Sequence, residues 1–148
     1  MEKKAEQLFG KYARKYINKL GRHPLDNMEI DTHARSVLGT KYKGCYAQDE
    51  KFELKPGYYI INTDVKKGPG IHWISLVLTP KTAYVFDSFA RDPKKLVPHL
   101  VRRLSSRKIV SSDRKDTEQK DLGVVCGHLS ISFLKVSKEL GIRYAIKI

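Results

Sequence analysis

Apolar residues recur at helical spacing through the first twenty positions. Ala5, Leu8, Phe9, Tyr12, Ala13, Tyr16, Ile17 and Leu20 share one face, and Lys3, Lys4, Lys11, Arg14, Lys15 and Lys19 fill most of the other. This predicts an amphipathic helix over 2–20, ended by Gly21. A second helical stretch follows in PLDNMEIDTHARSVLG. Asp26 with Glu29 three positions on has the form of a capping box, Leu25 and Ile30 fit the hydrophobic staple, and Gly39 is the stop. His33 falls inside this helix and reads as a surface residue. KYKGCYAQDEKFELKPG reads as a loop or a short strand with turns.

The period then changes. YYIINT (58–63), IHWISLVL (71–78) and TAYVFDSF (82–89) read as strands, the last two joined through Thr79, Pro80 and Lys81 as a hairpin. DPKKLVPHLVRRLSS predicts a helix with Asp92 as cap, Pro93 in the first turn, an apolar stripe of Leu96, Leu100, Val101 and Leu104, and a kink at Pro98. RKIVSS predicts a short strand and DRKDTEQKD a polar loop. LGVVCGHLSISFLKVSKELG (122–141) contains a buried helix with Cys126 near its N-terminus and Gly141 at its end, and IRYAIKI reads as a last short strand. Helices and strands alternate irregularly through 148 residues, the size of one α+β domain.

Composition narrows the class. No apolar run approaches a membrane span and no signal-peptide core follows the charged start, so a soluble intracellular protein is expected. Two cysteines, Cys45 and Cys126, make neither a disulfide framework nor a zinc motif, and no metal site is expected. The net charge of +13 predicts attraction to polyanions, nucleic acid above all. The cations concentrate in 91–115, where Lys94, Lys95, Arg102, Arg103, Arg107 and Lys108 are the candidates for nucleic-acid contact; a solvated face is the plain alternative.

A buried strand pair has little use for a histidine at the start of one strand and an aspartate at the end of the next, as His72 and Asp87 stand. The short hairpin connection places them near one end of the pair and roughly opposite each other. Cys126 opens a helix, whose N-terminal potential favours a thiolate. An imidazole can take its proton, and a carboxylate can hold the imidazole. Gly127 permits close backbone approach. Gln119, seven residues before Cys126, is a side-chain amide donor for an oxyanion, with the Cys126 N–H as the second. Taken singly each residue has a plainer explanation; the order His, Asp, Gln, Cys on these elements points to nucleophilic catalysis. Cys45, with no base beside it, reads as a half-buried loop thiol. His128 reads as structural or surface, and His23 and His99 as solvated.

The pieces NTDVKKGPGIHW, AYVFDSF and Q-x6-CG resemble the adenain-type cysteine proteases, that is the adenovirus maturation protease and its virophage and Polinton relatives. PLDNMEI and YKGCYAQDE resemble the N-terminal helix and following segment of the virophage and Polinton members. The resemblance covers about residues 24–140, with the basic helix of residues 1–21 added in front. It implies a papain-like fold, with a central mixed sheet packed on the helix that carries the nucleophile. His72 resembles the general base, Asp87 the acid, Gln119 the oxyanion donor and Cys126 the nucleophile. Trp73 and Gly127 would lie beside the substrate. The implied function is cleavage of viral capsid and core precursors in the virion and at the site of assembly; a monomer is the default expectation, and no cofactor is expected to be required. Viral DNA is a candidate partner and activator. The adenovirus enzyme tethers an activating peptide through a cysteine between the acid and the Gln. This chain has none there, which counts against such a peptide. Two rival readings are a Ulp-type protease that removes ubiquitin-like modifiers and a non-catalytic nucleic-acid-binding protein on a protease-like fold.

Overall fold

The computed structural model describes residues 1–70, 72–112 and 124–148. A five-stranded mixed sheet carries helices on both faces, a mixed α+β fold. The elements in chain order are α1 (Glu2–Leu20), α2 (Asn27–Leu38), a 3-10 turn (Gly39–Lys41), β1 (Tyr42–Ala47), β2 (Gly57–Asn62), β3 (Trp73–Leu78), β4 (Thr82–Phe86), α3 (Pro93–Leu96), α4 (Pro98–Arg103), β5 (Lys108–Ser111), α5 (Cys126–Leu140) and α6 (Ile142–Ala145). The strands lie in sequence order. β2, β3 and β4 are antiparallel neighbours, and the edge strands β1 and β5 run parallel to β2 and β4.

The central strands are buried on both faces, so they read as near-continuous apolar runs. Ile74, Leu76 and Leu78 of β3 share a core with Tyr59, Ile61, Val85, Leu100 and Leu104, beneath α3 and α4. Val77 and the half-buried Trp73 point to the opposite core, built with Phe9, Tyr16, Ile30, Phe86 and Phe133 under α1, α2 and α5. α5 runs through this second core, and every residue from Cys126 to Leu134 is buried. Phe133 stacks on Phe86 with ring centroids 4.6 Å apart, and Phe9 meets Phe86 edge-on.

Buried hydroxyls need partners, and here the partners fix α5 in place. Ser130 Oγ donates to Trp73 O (3.1 Å), Ser75 Oγ to Ser130 O (2.8 Å) and Ser132 Oγ to Phe9 O (2.7 Å). His128 Nε2 bonds Gly21 O at 2.8 Å, which makes this fully buried histidine structural. α5 is therefore pinned to the first half of β3 and to the middle and the C-terminal end of α1.

The expected helices form, with the Asp26–Glu29 capping box complete. Three expectations are corrected. Residues 142–148 form a helical turn instead of a strand. Ala145 and Ile148, three apart, are the buried positions, and the segment docks on α5 and α1. The helix over 92–106 is two helices. Pro98 offers no N–H and drives Val97 out of helical geometry (φ −133°, ψ 62°). His33 is buried, because 30, 33, 34 and 38 form the inner stripe of α2.

His33 packs edge-on against Tyr16, with ring centroids 4.5 Å apart, and its Nε2 has no hydrogen-bond partner among the described residues. Burial first, then the charges of Lys19, His128 and Lys15, push its pKa down to about 4. A lowered imidazole pKa means the unfolded chain binds the proton first. Stability is then full above about pH 6.5 and falls as pH drops toward 4. We expect His33→Leu to remove about 2–3 kcal/mol of the stability lost between pH 7 and 4.5, read by urea unfolding at both pH values. Equal pH dependence in wild type and variant would contradict this.

Candidate active site

His72 directly precedes β3 and Asp87 directly follows β4. The β3–β4 register pairs Ser75 with Phe86. Continued, it would set Asp87 opposite Ile74 and Phe89 opposite His72. The expected opposition of 72 and 87 is thus offset by two residues, a diagonal on one face of the pair. A turn closes the offset. Ala90 N–H donates to Asp87 O at 2.8 Å, with Ala90 at φ 53°, and the chain folds its amides back onto the Asp87 carboxylate. Asp87 Oδ1 meets His72 Nε2 at 2.6 Å, with both side chains almost wholly buried.

Cys126 is the first residue of α5. No side chain caps this helix, so its first-turn amides are left for the site. The sulfur is surrounded by donors. Trp73 N–H reaches Sγ at 3.4 Å, and the Gly127 amide and the His72 ring also favour its charged form. With Nε2 on Asp87, the His72 nitrogen left for the thiol is Nδ1.

The electrostatics agree with the geometry. Burial alone would raise the thiol, but the hydrogen bond and charge of His72 and the two amides outweigh it and hold Cys126 below the ordinary thiol value. Burial would lower His72, but its bonds to Asp87 and Cys126 win and raise it. Burial would raise Asp87, but the hydrogen bonds from His72 and Arg91 hold it well below the usual carboxylate range. Each partner stabilises the other's charged form, the electrostatics of a thiolate–imidazolium pair.

His72, Trp73 and Cys126 stand in the wall of a cleft of about 710 Å³, which continues past Leu25, Asp26 and Gly68–Gly70 to Cys45, Tyr46 and Glu50. The Trp73 indole donates to Leu25 O at 2.8 Å, so this side chain is a fixed wall. Gly127 is closely packed, and a side chain there would force its neighbours to shift. A Cβ there would lie 2.7 Å from Ile30 Cδ1 and 3.3 Å from both Leu25 and Trp73. Gln119 lies outside the described residues. Cys45 sits on strand β1 rather than in a loop, and burial, then Asp31 and Glu50, push its pKa up to about 12. That makes it a poor nucleophile although it faces the same cleft. Among the described residues no group of three or more His, Cys, Asp or Glu side chains gathers as a metal site. No helix among them is long and apolar enough to cross a membrane.

The basic candidates divide. Lys94, Lys95, Arg102 and Lys108 are exposed. Arg103 donates to the carbonyls of Glu50 and Phe52 and lies over the Phe52 ring. Arg107 donates to Thr79 O and Leu54 O. Arg103 holds the 50–55 loop to α4, and Arg107 holds it to the end of the β3–β4 hairpin. Two residues beside the dyad were not singled out from the sequence. Phe89 packs its ring 5.3 Å from that of His72, and Arg91 grips Asp87. The available signal was spacing, an arginine four residues after an aspartate across a tight turn.

No protein-family model matches the chain, and no curated protein matches it.

Proposed function

We propose that this chain is a cysteine peptidase of the adenain type, with a papain-like arrangement of sheet and nucleophile helix. One observation carries the proposal. A buried cysteine on an uncapped helix end shares the wall of a cleft of about 710 Å³ with His72, Asp87 holds the His72 Nε2, and the imidazole lowers the pKa of the thiol. The Cys126 thiolate attacks the scissile carbonyl and forms a C–S bond. The Cys126 N–H, with Gln119, stabilises the oxyanion. The imidazolium of His72 gives its proton to the leaving amine as the C–N bond breaks. Water, deprotonated by His72, then attacks the thioester, releasing the carboxylate product and restoring the thiol. Asp87 keeps the ring oriented throughout.

The proposed substrates are precursor proteins of a viral capsid and core, with DNA as a candidate activator. The exposed cations Lys94, Lys95, Arg102 and Lys108 and the outer face of α1 support contact with DNA. Digestion of a diverse peptide library, with and without added DNA, and mass-spectrometric reading of the cut sites is the test. We expect one recurring cleavage motif that vanishes in Cys126→Ala. Cleavage of ubiquitin-like precursors with no cut in free peptides would favour a deconjugating protease. No cut in either, from protein whose Cys126 is unreactive, would overturn the proposal.

A further inference from the structure

Asp87 has more partners than a positioning acid needs. Its carboxylate accepts from His72 Nε2 (2.6 Å), Arg91 Nε (2.8 Å), Arg91 Nη2 (3.3 Å), the Arg91 amide (3.0 Å) and the Phe89 amide (3.3 Å). The guanidinium forks onto both oxygens, a geometry only arginine supplies. It also lies over the Phe89 ring, 5.1 Å from its centroid, and Phe89 in turn packs on His72. The acid, the imidazole, the ring and the guanidinium form one closed assembly. Arg91 is its half-exposed outer member, while Asp87 is 2 % exposed.

We propose that Arg91 is a positioning residue that acts on His72 through Asp87, sharing the carboxylate's charge so that Asp87 orients the imidazole without trapping its proton. This rests on the peptidase reading for its catalytic meaning. The electrostatic part stands on the geometry alone. A buried, unshared carboxylate against His72 would strongly favour the imidazolium. A ring that must release a proton to the leaving amine, then accept one from water, works best with a pKa near the working pH. The shared carboxylate supplies orientation at lower electrostatic strength. The two backbone amides hold Asp87 in place whether or not the guanidinium is present, so removal of the charge is separable from loss of the acid.

Among the described residues, the groups that face this assembly are few. His72 meets Asp87 and Cys126, and Asp87 meets His72 and Arg91. Asp26, Glu50 and Lys66 line the same cleft and are common to every variant compared. The test is an NMR titration of the His72 imidazole in Cys126→Ala protein carrying Arg91, Arg91→Lys or Arg91→Gln. It is paired with the pH profile of Cys126 alkylation in the same three forms with the cysteine intact. Loss of a half-exposed positive charge beside Asp87 should raise the His72 pKa by about 0.5–1 unit in Arg91→Gln. The high-pH limb of the alkylation profile should move up by the same amount. Arg91→Lys keeps the charge and should stay within about 0.2 unit of wild type. No shift in Arg91→Gln, or a downward one, overturns the proposal; a downward shift would mean that Arg91 only braces Asp87. If the imidazole shifts as expected while wild-type Cys126 is unreactive, the coupling is real and the peptidase reading is what fails.

Discussion

Replacing His72 with alanine should slow alkylation of Cys126 by iodoacetamide at pH 6.5 about 100-fold. An ordinary thiol with a pKa near 8.5 is only about 1 % thiolate at that pH, whereas a thiol paired with an imidazolium is largely ionised. In this site burial disfavours the Cys126 thiolate, and the hydrogen bond and charge of His72 are the main forces against it. Without them burial prevails, and only the amides of Trp73 and Gly127 remain to favour the thiolate. On the proposed peptidase mechanism, peptide hydrolysis should fall further, by about 10⁴-fold, because the variant also lacks the proposed acid for the leaving amine. Cys45 is the internal control. With its pKa pushed up to about 12 it should label far more slowly than Cys126 at neutral pH. Mass spectrometry of the labelled residue separates the two. Wild-type labelling in His72→Ala, or preferential labelling of Cys45, would remove the basis for catalysis.

The second large effect is expected at Asp87, on stability as well as on chemistry. Asp87→Ala leaves His72 Nε2 and the amides of Phe89 and Arg91 without their acceptor in a buried position. Broken buried pairs cost about 3–5 kcal/mol, and the half-exposed guanidinium of Arg91 can turn to solvent, so a loss of about 3 kcal/mol is expected. The pH dependence carries the sharper test. The Asp87 carboxyl is held well below its ordinary range, so its contribution is present above about pH 4 and is lost as pH falls through the folded-state value. The raised His72 acts in the opposite sense. Its contribution is full below about pH 6.5 and is lost as pH rises through its folded-state value. Asp87→Asn should weaken both limbs, giving a flatter stability profile in urea unfolding from pH 3 to pH 9. An unchanged profile would show that the His72–Asp87 bond carries no charge coupling.

Much of the fold follows from local patterning. The α1 stripe, the α2 capping box and the apolar runs of β2, β3 and β4 were legible because each signal lies within one element. The misreadings came from long-range facts. IRYAIKI alternates like a strand, but it docks on α5 and α1, and that helical surface accepts a helical turn. His33 looks polar by residue type, yet its position in the α2 stripe faces Tyr16.

The site shows the same division. His72, Asp87 and Cys126 could be chosen from chemistry and order, since each stands at the end of a recognisable element and side-chain chemistry is local. What decided their working state was the packing between elements. The hairpin register offset Asp87 by two residues, and the turn through Ala90 closed the gap. The serine bonds from α5 to β3 set the Cys126 sulfur against the Trp73 amide. Arg91 and Phe89 entered the site only through that turn. Periodicity and capping record what a residue does with its near neighbours. Hydrogen-bond geometry and pKa depend on which distant groups exclude water from it, and only the folded chain determines those.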